Sequence, residues 1–168
     1  KYAPESNPWD FSENDDAKEA TQGNASNGTP TPQTYNGSVE DDVKRIRAQW
    51  QEIQDNSDNY EKVKVNGEQT NYCENVNGEN VIRKIIVKNS DATEEYFYSY
   101  EGGTYEPFFV FVTGSDKRED RHYFVGYQLI RWIEAQKGGT IHDLDYDNQE
   151  YTDRGETYLN KALDYIGM

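Results

Sequence analysis

Between Tyr60 and Glu134 the chain repeats one device: a short run rich in β-branched and aromatic residues, then a pair of turn residues. The pairs are Asn66-Gly67, Asn77-Gly78, Ser90-Asp91, Gly102-Gly103 and Gly126-Tyr127. Asn-Gly and Gly-Gly supply the positive φ that tight hairpins need, and strand runs punctuated in this way predict an antiparallel meander. The runs are Tyr60–Val65, Gln69–Asn75, Val81–Lys88, Glu94–Glu101, Pro107–Thr113, Asp120–Val125 and Gln128–Glu134. Val81–Lys88 is the most β-branched and Pro107–Thr113 the most apolar. The Gly-first pair Gly126-Tyr127 suits a type II′ turn. Leu129–Ile133 fits a helical turn as well as a strand, and the strand is the preferred reading.

A helix precedes this region. Ser38 is an N-cap residue with Asp41 three positions on, and Val39, Val43, Ile46, Trp50 and Ile53 form one stripe at helical spacing. Asn56-Ser57-Asp58-Asn59 ends it. Residues 135–152 read as a polar loop. A last helix is predicted from about Asp153, capped by that residue with Glu156 three positions on, its apolar face carrying Tyr158, Leu159, Ala162, Leu163 and Ile166. The expected fold is α+β: an N-terminal helix, an antiparallel meander sheet of about six strands and a C-terminal helix. The two helices most simply cover one face of the sheet and leave the other wet.

Residues 1–37 are a loose mixture of Asn, Gly, Ser, Thr and Pro. Such a segment buries too little apolar surface to offset its ordering entropy, so 1–37 reads as a flexible acidic tail or linker and 38–168 as a single α+β domain. Trp9 and Phe11 are apolar exceptions that could dock on the domain or a neighbour. Asn24, Asn27 and Asn36 stand in Asn-x-Ser/Thr triplets. The chain begins at Lys1 rather than methionine, which reads as a mature or trimmed form with any signal peptide or lipid-attachment cysteine upstream. No run approaches the roughly 18 apolar residues of a membrane helix.

The net charge is −15, from 17 basic and 32 acidic side chains. That balance repels phosphate backbones and anionic lipid, so neither nucleic acid nor an acidic membrane surface is an expected partner. Cys73 is the one cysteine and forms no internal disulfide. His122 and His142 stand in no zinc spacing, and no nucleophile elbow, phosphate loop or dinucleotide fingerprint is present, so no catalytic residue is expected.

Two groups remain as candidate sites. Asp143, Asp145 and Asp147 alternate in an acidic loop and could converge on calcium, although Asn148 and Arg154 occupy the positions where a calcium loop of the EF-hand type carries glycine and glutamate. Calcium is thus the one candidate cofactor. Tyr96, Tyr98 and Tyr100 share one face of a strand, with Phe97 on the other. If that face is open, the tyrosines form a flat platform for sugar rings or a protein patch. By the same alternation Phe109 and Phe111 face away from Phe108, Val110 and Val112, and Trp132 shares a face with Ile130.

Residues Arg121–Ile133, with an Arg-x-Tyr-Phe strand turning into Leu-Ile-Arg-Trp-Ile, resemble a group of uncharacterised secreted proteins and lipoproteins of bacteria. Residues 46–53 and 81–85 are similar to the helix and a central strand of that group, so the resemblance spans roughly 39–134. The group's turn is usually Asn-Gly, where this chain has Gly126-Tyr127. The resemblance implies an α+β fold and export, and carries no activity. The expected function is an extracytoplasmic binding or interaction module at the bacterial surface, with an unknown protein or glycan as partner. The alternatives are a cell-wall or glycan-active hydrolase using paired carboxylates, and a calcium-dependent adhesion module.

Overall fold

The computed structural model describes residues 35–135 and 139–168. Trp9, Phe11, Asn24, Asn27 and nearly all of the 1–37 segment lie outside them.

Helix α1, Val39–Asn56, forms where its apolar stripe predicts. The Ser38 hydroxyl accepts from the Asp41 amide, and Glu40, Asp41 and Asp42 place negative charge in the first turn, where the helix dipole favours it. A 3₁₀ turn at Ser57–Asn59 leads into the sheet. Eight strands follow: β1 Glu61–Lys64, β2 Gln69–Val76, β3 Glu79–Lys88, β4 Ala92–Glu101, β5 Thr104–Gly114, β6 Glu119–Val125, β7 Gln128–Ala135 and β8 Ile141–Asp143. All pair antiparallel in sequence order, which is the expected meander. Helix α2, Gln149–Asp164, closes the chain. The fold is α+β, with eight strands among the described residues rather than about six.

The segment expected to be a polar loop holds β8, whose Trp132↔His142 and Ile133↔Ile141 pairing protects the outer edge of β7. It also holds the first turn of α2. Asn148, not Asp153, is the cap, and its side chain accepts from the Glu150 and Tyr151 amides. Two turns differ in type as well. Gly126 and Tyr127 both have positive φ, 55° and 62°, as type I′ requires and type II′ does not. Asn66-Gly67 has no positive φ, because Asn66 Oδ1 accepts the Glu68 and Gln69 amides and holds a wider loop. Asn77-Gly78 and Gly102-Gly103 are positive at both residues, as expected.

The helices lie on opposite faces of the sheet, which corrects the expectation of one covered face. One cross-strand row runs the full width: Lys62↔Tyr72↔Lys84↔Phe97↔Phe109↔Tyr123↔Arg131↔Asp143. Helix α1 packs on this row. Trp50 meets Phe97 edge-on at 6.5 Å, Gln54 accepts from Lys84 Nζ at 2.8 Å, and Glu40 pairs with Arg131. From Glu40 to Gln54 is about 21 Å of helix, and from β7 to β3 is about 19 Å of sheet, so α1 crosses the strands nearly at right angles. The neighbouring row, Ile85↔Tyr96↔Val110↔His122↔Trp132, faces the other way and is covered by α2. Tyr165 packs on Tyr96, Tyr158 on His122 and Arg154 over Trp132, at 5.1, 4.4 and 4.3 Å. Gly155 lets α2 approach closely, since a Cβ there would stand 3.2 Å from the Leu129 Cβ. With both faces covered, Pro107–Val112 is buried without a break.

Three bulges interrupt the pairing on one line, just beyond the first row. Register slips between Tyr72 and Cys73, between Phe97 and Tyr98, and between Tyr123 and Phe124. The extra residues are Arg83 in β3, Phe108 in β5 and Ile130 in β7. Past this line β3 no longer pairs with β4, whose shared ladder ends at Lys84↔Phe97. Likewise β5 and β6 part after Phe109↔Tyr123. Three hairpins therefore splay apart beyond the row, because bulges bend a strand and raise its twist. Side chains stitch the gaps: the Ile82 amide donates to Tyr105 Oη, the Gly126 amide to Glu106 Oε1, and Tyr127 Oη to the Tyr105 carbonyl.

Candidate binding cleft

Where β3 and β4 part, a cleft of about 500 Å³ opens beneath the C-terminal half of α1. That volume falls within the range of small-molecule sites. Its floor holds Ile53 and Phe108, both buried. Helix α1 contributes Gln49, Glu52 and Asn56, and Tyr60 follows the 3₁₀ turn. Strand β2 contributes Glu74, β3 Arg83, and β4 Tyr98, Ser99, Tyr100 and Glu101.

The bulges build this site. Strict alternation would turn Arg83 and Phe108 away from Lys84 and Phe109, towards α2. As extra residues they turn to the α1 side instead: Arg83 Nε donates to Glu74 Oε2 at 2.7 Å, and Phe108 packs against Phe97 at 6.4 Å. The same displacement at Ile130 puts Leu129 with Trp132 in the core under α2. The expected grouping of Phe108 with Val110, and of Trp132 with Ile130, fails for this reason. The hydroxyl of Tyr60 lies in the field of three cleft charges. Burial raises its pKa most, Glu74 and Glu52 raise it further, and Arg83 opposes them.

The tyrosine platform does not form. Tyr96 and Tyr98 are fully buried under α2, where Tyr98 Oη donates to the Ala162 carbonyl at 2.8 Å and Tyr96 Oη to Glu94. Burial drives the pKa of both phenols well above the ordinary tyrosine value. Tyr100 is half-buried and packs on Tyr105 at 4.7 Å.

The acidic loop does not converge either. Asp143 is the bidentate partner of Arg131, at 2.6 and 2.7 Å. Asp145 accepts from Asn148 and pairs with His142 Nδ1 at 3.0 Å, and Asp147 is exposed. Among the described residues no three His, Cys, Asp or Glu side chains are placed to hold a metal.

The remaining reactive groups lie apart. Cys73 is buried in β2, with its thiol pKa raised by burial. His122 is in β6, four strands and about 19 Å across the sheet, so the two form no catalytic pair. His122 is fully buried, its pKa is pushed down to about 3 by burial and then by Arg154, and its Nδ1 stands 3.3 Å from the Val110 carbonyl. Neutral at ordinary pH, it therefore donates from Nδ1.

Of the cleft lining, sequence alternation points only to Tyr98 and Tyr100, the two members of the tyrosine row that border it. The signals that mark it are local conflicts: a charged Arg83 inside an otherwise β-branched run, and two adjacent phenylalanines at 108 and 109 that both require burial.

No protein-family model matches the chain, and no curated protein matches it. Among solved structures it is similar to TarM of S. aureus, in a mutant form complexed with fondaparinux, alpha-GlcNAc-glycerol and UDP, at 11% identity and a TM-score of 0.41. A second TarM crystal structure matches at 12% identity and a TM-score of 0.40. Each match covers 61% of this chain and 22% of TarM. No described helix is long and apolar enough to cross a membrane.

Proposed function

We propose that this chain is a non-enzymatic binding module of an extracytoplasmic bacterial protein, and that its ligand seats in the cleft between α1 and the parted strands β3 and β4. The observation that carries the reading is the pair of bulges at Arg83 and Phe108. Each breaks a ladder and leaves backbone groups to be satisfied by side chains, which costs stability. Bulges recur beside functional sites because they re-aim a side chain. Here two of them aim a charged group and an aromatic ring into one cleft. The resemblance of residues 39–134 to secreted and lipoprotein domains supports a location outside the cytoplasm, and the composition of 1–37 suits a spacer.

The test is a thermal melt of the full chain with neutral oligosaccharides, muropeptides, basic and acidic peptides, and calcium. A ligand that binds only the folded state adds about 2.7 kcal/mol at a hundredfold excess over its Kd. The expected result is a shift with one ligand class, lost in Arg83→Ala and Tyr60→Ala, with no chemical change in the ligand. A shift unaffected by both substitutions, or turnover of the ligand, contradicts the proposal.

A further inference from the structure

We infer that the cleft takes an uncharged, polyhydroxylated ligand: a neutral glycan. This rests on the cleft being the binding site, and it adds the chemistry of the occupant.

The argument comes from the mixture of lining groups. The Arg83 guanidinium can only donate, and the carboxylates of Glu52, Glu74 and Glu101 can only accept. Asn56 and Gln49 do both, with one Asn56 N–H already donated to the Glu52 carbonyl and Gln49 Oε1 already accepting from Arg45. The Arg83–Glu74 pair, at 2.7 Å, consumes part of one charge of each sign, and Glu74 is still 41% exposed. An ammonium ligand satisfies carboxylates but opposes Arg83 and offers no acceptor to the Gln49 amide or to the second Asn56 N–H, the first being donated to the Glu52 carbonyl. A phosphate or carboxylate ligand meets three glutamates against one arginine. A hydroxyl donates and accepts at once, so a ring bearing several hydroxyls can satisfy donors and acceptors placed side by side. Apolar surface completes the match. Phe108 and Ile53 close the floor, and the half-buried rings of Tyr60 and Tyr100 supply aromatic surface on which a sugar's C–H face buries while its hydroxyls point to the polar wall.

The cleft is open to solvent on the α1 side, where Glu52, Asn56 and Glu101 are all exposed. An oligosaccharide can therefore extend beyond it, with one or two rings inside.

The experiment is calorimetric titration of the full chain with three neutral trisaccharides, namely tri-N-acetylchitotriose, maltotriose and cellotriose. Two charged controls accompany them: fully deacetylated chitotriose, which is cationic, and a hyaluronan tetrasaccharide, which is anionic. The expected result is binding of a neutral trisaccharide, weaker binding of the cationic analogue and none of the anionic one. Arg83→Met and Asn56→Ala should each weaken the neutral ligand at least about tenfold, since each leaves a hydroxyl unpaired, while losing the partly exposed Arg83–Glu74 and exposed Asn56–Glu52 bonds lowers the melting temperature only slightly. Binding of either charged sugar in preference to every neutral one overturns the inference. If no sugar binds, the chain is titrated with a basic and an acidic peptide while the backbone amides of Glu74, Arg83 and Ser99 are followed by NMR. Peptide-induced shifts there overturn the glycan and leave the cleft standing, whereas their absence with every probe overturns both.

Discussion

The Ile82 amide donates to the hydroxyl of Tyr105 at 3.2 Å, across the gap where β3 and β4 have stopped pairing. Tyr105 belongs to β5, so its side chain reaches past β4 to supply a bond that the ladder no longer makes. The gap is thus held open at a fixed width.

Tyr105→Phe removes that acceptor and keeps the ring against Tyr98 and Tyr100. The expected loss is about 1 kcal/mol, the worth of one hydrogen bond at a partly buried site. Amide exchange at Ile82 should accelerate more than at Ile85, which remains inside the paired sheet. Equal acceleration at both would mean that the hydroxyl does not bridge the gap.

Arg131 sits at the β7 end of the row under α1, its side chain 6% exposed, between Asp143 of β8 and Glu40 of α1. Asp143→Ala leaves a buried guanidinium with one exposed partner, so the variant should lose about 3 kcal/mol in urea unfolding. Arg131→Met with Asp143→Ala should recover a good part of it, because no buried charge remains. A double variant as unstable as the sum of the singles would show that the two side chains act independently.

On the other face, Glu94 is buried and holds Lys161 at 2.7 Å and Tyr96 Oη. Lys161 is 40% exposed, which moderates the pair by solvent screening. Lys161→Met should cost about 1–2 kcal/mol, and Lys161→Met with Glu94→Gln less than that. Thermal denaturation of the three proteins measures it.

His122 makes stability depend on pH. Its folded pKa of about 3 lies below the ordinary 6.5, so between these values the unfolded chain binds the extra proton. Stability from this group is complete above pH 6.5 and is lost as pH falls towards 3, by on the order of 5 kcal/mol over the whole range. Glu40, whose pKa is lowered by its hydrogen bond from Arg131 against the opposing effect of burial, adds a loss below its ordinary 4.5. Urea midpoints should therefore fall from pH 7 to pH 5 in the parent and stay level over that interval in His122→Phe. Parallel curves would show that another group controls the acid limb.

The meander was legible because turns are written locally. Asn77-Gly78 and Gly102-Gly103 adopt positive φ at both residues for reasons internal to each pair. The α1 stripe was legible for the same reason. Helix α2 began a turn earlier than expected because Asp153 and Glu156 imitate a cap, whereas Asn148 is the residue whose side chain takes the free amides. The opposite placement of the helices was hidden by reading Pro107–Thr113 as alternating, although an apolar run of that length suits a strand covered on both sides. That same covering buried Tyr96 and Tyr98. Apart from Tyr98 and Tyr100, the cleft lining was not legible, because a bulge depends on which side chains two layers demand. Arg83 and Phe108 move out of alternation only once α1 and α2 compete for the two faces.

The most direct test of the cleft is amide shift mapping of the full chain by ¹⁵N–¹H NMR during titration with the neutral trisaccharides. Changes are expected to concentrate at Tyr60, Glu74, Arg83 and Ser99, with the acidic loop around Asp145 silent. Changes concentrated at β8 and the start of α2, or none at the four cleft residues, would contradict the cleft as the binding site.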